Sequence, residues 1–358
     1  GAILWKTLWK ARISMTDGGE VKTVSGRGIE AAASDVDARV ENKISALAPE
    51  QLAIVRRGAE IIKSGGLVAF PTETVYGLGA NALDADAVRR IYETKGRPSD
   101  NPLILHVSSI EMTEGLVELN WRARMLMEKF WPGPLSIVLP AKEVIPSRTR
   151  GGLPTAAVRM PDAAVALALI KFSNLPIAAP SANISGRPSP TDAETVRRDA
   201  GDKIPLVIDG GETRFGVEST VIDMTGEHAV LLRPGGLAKE DIESELGEEV
   251  LLPQDQTIIK RSPGTRYRHY APNVTLILAA PDEIPADAEN WAWMGISEPA
   301  GNPAKKIKFR DDAEYARELF RAMRALEKSG VSAIYAEIPE ERGIGRALKD
   351  RLVRAAGG

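Results

Sequence analysis

The sequence predicts an α/β protein in which a mixed, twisted open sheet is followed by a second, smaller α/β domain. From residue 49 onward, stretches with apolar residues at helical spacing alternate with short apolar strands, a pattern typical of α/β folds. Between residues 205 and 236, three strand-like stretches follow one another closely, which favours a mixed sheet over a strictly parallel one. Near residue 253 a proline-rich polar stretch interrupts this pattern, and helices and strands alternate again beyond it.

Each expected element has a local reason in the sequence. Leu52, Val55 and Ile62 recur at helical spacing, and Gly65 follows them as a stop signal. Asp84 is a good N-cap for the next helix. The expected helices cover residues 49–64, 85–95, 121–130, 162–172, 312–328 and 343–356. The expected strands cover residues 67–70, 101–107, 135–140, 155–159, 175–180, 205–211, 219–225, 229–236, 274–279, 291–296 and 332–338.

These patterns divide the chain into four segments. Residues 1–48 are expected to form a poorly ordered or helical N-terminal extension, and residues 49–252 the main domain. Residues 253–273 are expected to form a linker, and residues 274–358 the small C-terminal α/β domain. The opening GAILWKTLWKARIS fits a signal peptide poorly, and we interpret it as a loose extension, with a peripheral amphipathic helix as the alternative.

Composition excludes several classes of function. The net charge of −3 gives no overall basic field for nucleic acid, and the absence of cysteine excludes thiolate metal sites and cysteine nucleophiles. With three histidines, a histidine-rich metal site is not expected. The phosphate-loop, dinucleotide-binding, zinc-protease and serine-hydrolase motifs are all missing, and no apolar run is long enough to cross a membrane.

Two short motifs carry polar side chains suited to anions. In KGRPSDNP, Lys95 and Arg97 are separated by one glycine, which allows both cations to converge on one anion. The alternative is a helix C-terminus whose cations favour the helix dipole. In PSANISGRPSPT, Ser181 and Asn183 follow a strand and leave room for a ligand at the sheet edge, or they form a simple turn.

Three further motifs place charged or hydroxyl groups at strand ends. Arg159 lies in the otherwise apolar TAAVRMPD and needs a carboxylate or phosphate, unless a structural salt bridge supplies it. Ser219 begins the strand of RFGVESTVID, and Arg233 ends that of LLRPGG. His106 ends the strand NPLILH, where a structural role is the simpler interpretation.

Taken together, these motifs resemble the YrdC-type threonylcarbamoyl-AMP synthases. The resemblance runs through FPTETVYGLGANA, the Lys95-x-Arg97 pair with NPLILHV, AVRMPD, PSANISG, FGVESTVID and LLRPG, in the family's order, over roughly residues 50–245. SPGTRYRHYAP and the following α/β segment resemble the long, two-domain branch, although Thr265 and Arg266 replace the family's Met-Lys. The resemblance implies a YrdC-like catalytic domain with helices around a concave cationic cleft, and a Rossmann-like C-terminal domain.

The resemblance also implies the reaction. L-Threonine, bicarbonate and ATP would give L-threonylcarbamoyl-AMP and pyrophosphate, with Mg2+ accompanying the nucleotide and no protein ligands for a metal. A downstream tRNA threonylcarbamoyl transferase complex would move the group onto the adenosine beside the anticodon. Direct tRNA binding would be weak, no membrane is involved, and the expected location is cytoplasmic.

Motif matching assigns roles to individual residues. The residues expected in catalysis are Lys95, Arg97, Ser181 and Asn183. The residues expected around threonine are Thr74, His106, Arg159, Ser181 and Ser219, with Arg159 on the carboxylate. The residues expected around ATP are Arg97, Asn101, Thr155, Asn183, Arg233 and His269.

The cationic linker is expected to close over the cleft as a lid, with a solvated basic connector as the alternative.

Two other functions stay open at this point. A non-catalytic module could bind double-stranded RNA through the cleft cations, although the acidic balance of the chain argues against it. A related carbamoyl-adenylate enzyme is the other, but such enzymes are much longer and carry zinc-binding cysteines.

Overall fold

A computed structural model describes residues 12–15, 21–24, 26–253, 262, 270–284 and 289–357 of the chain. Strands β1 (Arg12–Met15) and β2 (Val21–Val24) form a small antiparallel pair, and α1 (Gly26–Ser45) follows. The remaining strands form one large and one small sheet, which confirms the α/β class.

The large sheet has nine strands. They are β3 (Val68–Pro71), β4 (Tyr76–Asn81), β5 (Ile104–His106), β6 (Leu135–Pro140), β7 (Thr155–Arg159), β8 (Ile177–Ala178), β9 (Leu206–Val207), β10 (Thr220–Asp223) and β11 (Val230–Arg233). Their spatial order is β11-β10-β6-β7-β5-β8-β4-β3-β9. Parallel pairs such as β5 with β7 occur beside antiparallel ones such as β6 with β7, so the expectation of a mixed sheet is confirmed.

Helices cover this sheet. They are α2 (Pro49–Lys63), α3 (Ala85–Lys95), α4 (Ile110–Glu114), α5 (Trp121–Phe130), α6 (Ala164–Ser173), α7 (Ala193–Ala200) and α8 (Lys239–Leu246). Helix α6 is buried along most of its length because α1, α2 and β3 all pack against it. Each large side chain buried in this way stabilises the fold by about 1.5–3 kcal/mol. The Asp84 carboxylate caps α3 by accepting from the backbone amides of Asp86 at 2.8 Å and Ala87 at 3.1 Å.

Several predicted strands are shorter than expected, among them 101–107, which forms a strand only at Ile104–His106. The stretch 175–180 forms a strand only at Ile177–Ala178, and 205–211 only at Leu206–Val207. Strand β8 is flanked by Pro176 and Pro180, which have no N–H for the ladder. Their carbonyl oxygens still accept from the backbone amides of Leu78 in β4 and of Ala82 just after it, each at 2.9 Å, so the segment lies along the sheet.

The second sheet forms the core of the C-terminal domain. Its strands are β12 (Thr275–Ala279), β13 (Trp291–Gly295), β14 (Lys305–Lys308) and β15 (Ala333–Glu337). They pair in the order β12-β15-β13-β14, and every pair is parallel. Helices α9 (Asp312–Lys328) and α10 (Ile344–Ala356) pack on this sheet and on each other. Parallel strands with crossing helices fit the predicted small α/β domain.

The two domains are in direct contact. Arg324 of α9 pairs with Asp199 at 2.5 Å, and Arg346 of α10 pairs with Glu240 at 3.0 Å. Val75, from the turn after β3, packs into the apolar cluster of the C-terminal domain. The loop at the end of β3 therefore lies where both domains meet. In the described ranges, no helix has the length and apolar character that a membrane crossing requires.

Candidate active site

One cleft gathers side chains from segments that are far apart in the sequence. It has a volume of about 610 Å3, counting the solvent in its mouth, and it is lined by residues at the ends of β5, β7, β8 and β11 and before β10. Eight of the predicted site residues line it: Thr74, Arg97, His106, Arg159, Ser181, Asn183, Ser219 and Arg233. Three of the four predicted cations, Arg97, Arg159 and Arg233, therefore face a common cleft, whereas Lys95 does not line it.

Sheet register explains how four of these segments meet. His106 of β5 lies opposite Arg159 of β7, and Arg159 lies opposite Ser136 of β6. Strand β10 runs parallel to β6 with Val221 opposite Ser136, so Ser219, two residues before Val221, points to the same face and its side chain reaches Ser136. Residues in register on neighbouring strands point to the same face of a sheet, so the row forms one wall of the cleft.

The turn after β3 is held by the hydroxyl group of Thr72. Its Oγ1 donates to the carbonyl oxygen of Val75 at 2.7 Å and lies 2.8 Å from Oγ1 of Thr74. The backbone amides of Thr74 and Val75 donate back to it at 3.2 and 3.3 Å. The polar residues of FPTETVYGLG thus form a self-supporting turn that fixes the fully buried Thr74 in the cleft wall.

Arg159 has a buried charge partner. Its Nη2 lies 2.7 Å from the Glu73 carboxylate, and both side chains are almost completely buried. Within the described part of the chain, neither the two Glu73 oxygens nor Nη2 of Arg159 makes a well-directed hydrogen bond. The structural salt bridge considered from the sequence is therefore present, and Nη2 still keeps hydrogen-bonding capacity for an anion in the cleft.

His106 is a neutral ring. Burial and the nearby Arg159 charge lower the pKa of His106 to about 3. Its Nδ1 lies 3.3 Å from the carbonyl oxygen of Ile177, which can only accept, so Nδ1 carries the proton and Nε2 is an acceptor. Phe70 packs edge-on against the ring and fixes its plane.

Ser219 is the centre of a polar network at the end of this row. Its hydroxyl lies 2.8 Å from the Ser136 hydroxyl, and Nη2 of Arg233 donates to its Oγ at 3.2 Å. The same Nη2 donates to the Ser219 carbonyl at 2.9 Å. Burial lowers the pKa of Arg233, and a guanidinium group stays charged in proteins.

Lys95 lies behind the cleft. Its Nζ donates to the carbonyl oxygen of Ser181 at 2.6 Å and to that of Asn183, and the left-handed Gly96 that ends α3 turns the chain towards Arg97. Burial, with the Arg97 charge, lowers the pKa of Lys95 well below its ordinary value. Lys95 therefore fixes the 181–183 loop through two of its carbonyl groups and does not line the cleft itself.

The Ser181–Asn183 loop is pinned at several points. The Ser181 hydroxyl donates to the Asn183 side-chain oxygen at 2.5 Å. The Asn183 amide donates to the carbonyl oxygens of Ile184 and Arg187, each at 2.8 Å. This loop therefore presents a fixed polar surface to the cleft.

The remaining predicted residues differ in position. Arg97 is half-buried, and its guanidinium donates to the carbonyl oxygens of Asn101 at 3.4 Å and Pro102 at 3.1 Å. Burial lowers the pKa of Arg97 to about 10, so it is a cation at neutral pH. Asn101 and Thr155 are buried but do not line the cleft. His269 and most of the predicted lid lie outside the described residues.

Sequence reasoning missed three polar residues of the cleft lining. Thr72 organises the first turn, Glu218 lies beside Ser219, and Tyr270 closes one side with φ of 69°. The sequence signals were Thr72 two residues before Thr74, and Glu218 inside an assigned motif. Tyr270 had a weaker signal, as one aromatic residue in a cationic linker. A left-handed non-glycine residue at a cleft costs about 1–3 kcal/mol and points to a functional constraint.

Comparison with known proteins agrees with this geometry. A family model named for Sua5, YciO and YrdC and described as telomere recombination matches residues 60–235, and one described as threonylcarbamoyl-AMP synthase, C-terminal domain, matches residues 237–357. A threonylcarbamoyl-AMP synthase of Pyrococcus abyssi is 49% identical over 85% of this chain and 94% of its own length. The chain belongs to the threonylcarbamoyl-AMP synthase family.

Other members of the family support the same assignment. The threonylcarbamoyl-AMP synthase of Bacillus subtilis is 44% identical over 85% of this chain and 93% of its own length. The crystal structure of P. abyssi Sua5 complexed with L-threonine matches with a TM-score of 0.79 and 48% identity, covering 85% of this chain and 94% of that one. This protein has the two-domain form of the threonylcarbamoyl-AMP synthases.

Proposed function

We propose that this protein makes L-threonylcarbamoyl-AMP from L-threonine, bicarbonate and ATP and releases pyrophosphate. The observation that carries the proposal is the convergence of Arg97, Arg159 and Arg233 on one cleft that also contains Thr74 and Ser219. Threonine, a carbamate and a triphosphate are all anionic at their reacting ends. A cleft with three fixed guanidinium groups and several hydroxyl groups suits their assembly.

The chemistry needs positioning more than a protein nucleophile. The threonine amine attacks the carbon of bicarbonate, and loss of water leaves a carbamate. A carbamate oxygen then attacks the α-phosphorus of ATP, and the bond to the pyrophosphate oxygen breaks. Negative charge grows between the reactants throughout, so fixed cations and hydrogen-bond donors lower the barrier.

The threonine pocket is the part of the cleft around Thr74, His106, Arg159 and Ser219. We assign the threonine carboxylate to Nη2 of Arg159, whose hydrogen-bonding capacity is left over beside Glu73. Neutral His106 supplies an acceptor for the substrate hydroxyl or amine, since its Nδ1 is committed to Ile177. A pocket of fixed hydrogen-bonding groups discriminates strongly against an analogue without the hydroxyl.

The nucleotide belongs at the Arg97, Asn183 and Arg233 side of the cleft. Asn101 would act from below the cleft surface through its carbonyl contact with Arg97, whereas Thr155 is buried outside the cleft lining. Glu218, which lines the cleft, is held by Ser189 and Arg351, and Glu73, which lies beside it, pairs with Arg159. Among the described residues no group of three or more metal-ligating side chains occurs, and we assign Mg2+ to the phosphates of the incoming ATP.

The product is a mixed anhydride that hydrolyses readily, so a second enzyme must use it soon after it is released. We propose that a tRNA threonylcarbamoyl transferase complex takes it to the adenosine next to the anticodon. The enzyme would work in the cytoplasm, where threonine, ATP and tRNA occur together.

Pyrophosphate release tests this function. Release from ATP should require both threonine and bicarbonate, and omission of either should stop it. Replacing threonine with 2-aminobutyrate should lower kcat/KM by at least about 100-fold, since buried polar groups would be left unpaired. Release without threonine, or equal turnover of the two amino acids, would contradict the proposal. Salt-sensitive retention of double-stranded RNA without any release would favour the binding-module alternative instead.

A further inference from the structure

Arg351 is a fully buried arginine of the C-terminal domain. It lies on α10, more than 110 residues after Arg233, the last cleft residue before the linker. Its side chain is 0% exposed. An arginine keeps its charge at physiological pH, so complete burial requires anionic and carbonyl partners. The identity of those partners shows what the residue stabilises.

Two of its contacts cross from one domain to the other. Nε of Arg351 donates to the Glu218 carboxylate at 2.7 Å, and Nη2 donates to the carbonyl oxygen of Pro234 at 3.0 Å. A third, to its neighbour Asp350 at 2.5 Å, stays within α10. The guanidinium also lies 5.4 Å from the ring centre of Tyr270. One side chain thus contacts three places on the main domain and its linker.

Each cross-domain partner either lines the cleft or adjoins a residue that does. Glu218 and Tyr270 line it, Glu218 directly precedes Ser219, and Pro234 directly follows Arg233. Arg233 in turn donates to the Ser219 carbonyl at 2.9 Å. Arg351 therefore ties the start of β10 to the end of β11 at the point where both meet the cleft.

Both carboxylate oxygens of Glu218 accept hydrogen bonds, so Glu218 has a structural role and is not a free base. One carboxylate oxygen accepts from the Ser189 hydroxyl at 2.6 Å, and the other accepts from Arg351. Burial acts to raise the pKa of Glu218, but the charges of Arg351 and Arg233 outweigh it and hold the pKa below its ordinary value. The carboxylate is thus a fixed anion that needs Arg351 beside it.

We propose that Arg351 is a positioning residue for the reaction, through which the C-terminal domain holds the Glu218–Ser219 side of the threonine pocket. This inference rests on the proposed function, because it assigns part of that pocket. Without Arg351, the Glu218 carboxylate loses its ion-pair partner beside a cleft that must accept a carboxylate. The expected consequence is weaker threonine binding, in addition to any loss of stability.

The same helix offers a matched control. Arg346 of α10 also forms an ion pair across the two domains, with Glu240 at 3.0 Å, but neither residue lines the cleft. Arg351→Met should raise the threonine KM by roughly tenfold or more, the loss expected for one charge-assisted interaction. Arg346→Met should leave it unchanged within about twofold, as expected of a partly exposed ion pair. A purely structural role would reduce the folded fraction, and so kcat, without changing KM.

Two further variants test the route through Glu218. Adding Glu218→Gln to Arg351→Met removes the charge left without its ion-pair partner and should recover part of the threonine KM. Arg351→Lys keeps the charge but cannot donate along two fixed directions, and should give an intermediate KM. Recovery by the second substitution is an effect that a general loss of packing does not produce.

Hydrogen exchange of the whole protein provides a readout independent of turnover. The backbone amides of residues 218–221 should exchange faster in Arg351→Met than in Arg346→Met or the wild type. Equal KM values and equal exchange in the two Met variants would overturn the proposal. Wild-type protein that releases no pyrophosphate with threonine and bicarbonate would instead refute the proposed function, while the exchange rates would still decide the role of Arg351.

Discussion

Arg159→Met separates two effects of one guanidinium. Arg159 is 3% exposed and lies 2.7 Å from Glu73, which is 4% exposed. Removing one partner of a buried ion pair leaves an uncompensated charge and costs about 3–5 kcal/mol of unfolding free energy. The substitution also removes the donor assigned to the threonine carboxylate. One charge-assisted hydrogen bond contributes about 1.5–3 kcal/mol, which corresponds to roughly 10- to 100-fold in threonine affinity.

The double variant Glu73→Gln with Arg159→Met distinguishes the two effects. It leaves no unpaired charge, so urea unfolding should show that most of the lost stability has returned. Threonine affinity, measured by calorimetric titration, should remain as low as in Arg159→Met. Affinity for a non-hydrolysable ATP analogue should change little in both variants. Wild-type threonine affinity in the double variant, or wild-type stability in Arg159→Met, would refute the reasoning.

Three other perturbations give independent checks. Because the pKa of His106 is about 3 when folded and near 6.5 when unfolded, the unfolded chain binds the extra proton as the pH falls below 6.5. Stability should therefore drop by about 2 kcal/mol more between pH 7 and pH 5 in the wild type than in His106→Asn, measured by denaturant unfolding. A Cβ on Gly235 would lie 2.2 Å from the backbone carbonyl carbon of Ser219, so Gly235→Ala should lose about 1–3 kcal/mol and weaken threonine binding, whereas Gly226→Ala, in open space, should not. Asp84→Ala removes the cap of α3 and should lower the melting temperature in a thermal scan, by the equivalent of about 1 kcal/mol.

Much of the fold was predictable because its signals are local. The α3 helix has its cap at Asp84 and its stop at Gly96, and both are visible as residue types at the right spacing. The mixed sheet was predicted from the close succession of β9, β10 and β11, although only β10 and β11 pair with each other and β9 lies at the opposite edge. The lengths of β8 and β9 were overestimated because apolar residues beside proline resemble a strand in sequence, although proline cannot donate to the ladder.

The sequence predicted which residues line the cleft better than it predicted the contacts that those residues make. Residue type and motif order gave eight cleft-lining residues, but neither shows which group a side chain faces. Lys95 looked like a cleft cation, and its Nζ instead contacts the carbonyl oxygens of the Ser181–Asn183 loop. The pairs Glu73–Arg159 and Glu218–Arg351 join residues 86 and 133 positions apart, and such long-range pairing leaves no periodic signal in one sequence.

A structure with threonine and a non-hydrolysable ATP analogue bound together would test the central claim most directly. The account predicts both ligands in the one cleft, with the threonine carboxylate on Arg159 and the α-phosphate on the Arg233 side. The threonine nitrogen and the α-phosphorus should then be separated by little more than the width of one carbamate, about 4–5 Å, since reacting groups must approach closely. Threonine and nucleotide in separate sites, or an empty region between Arg97, Arg159 and Arg233, would contradict it.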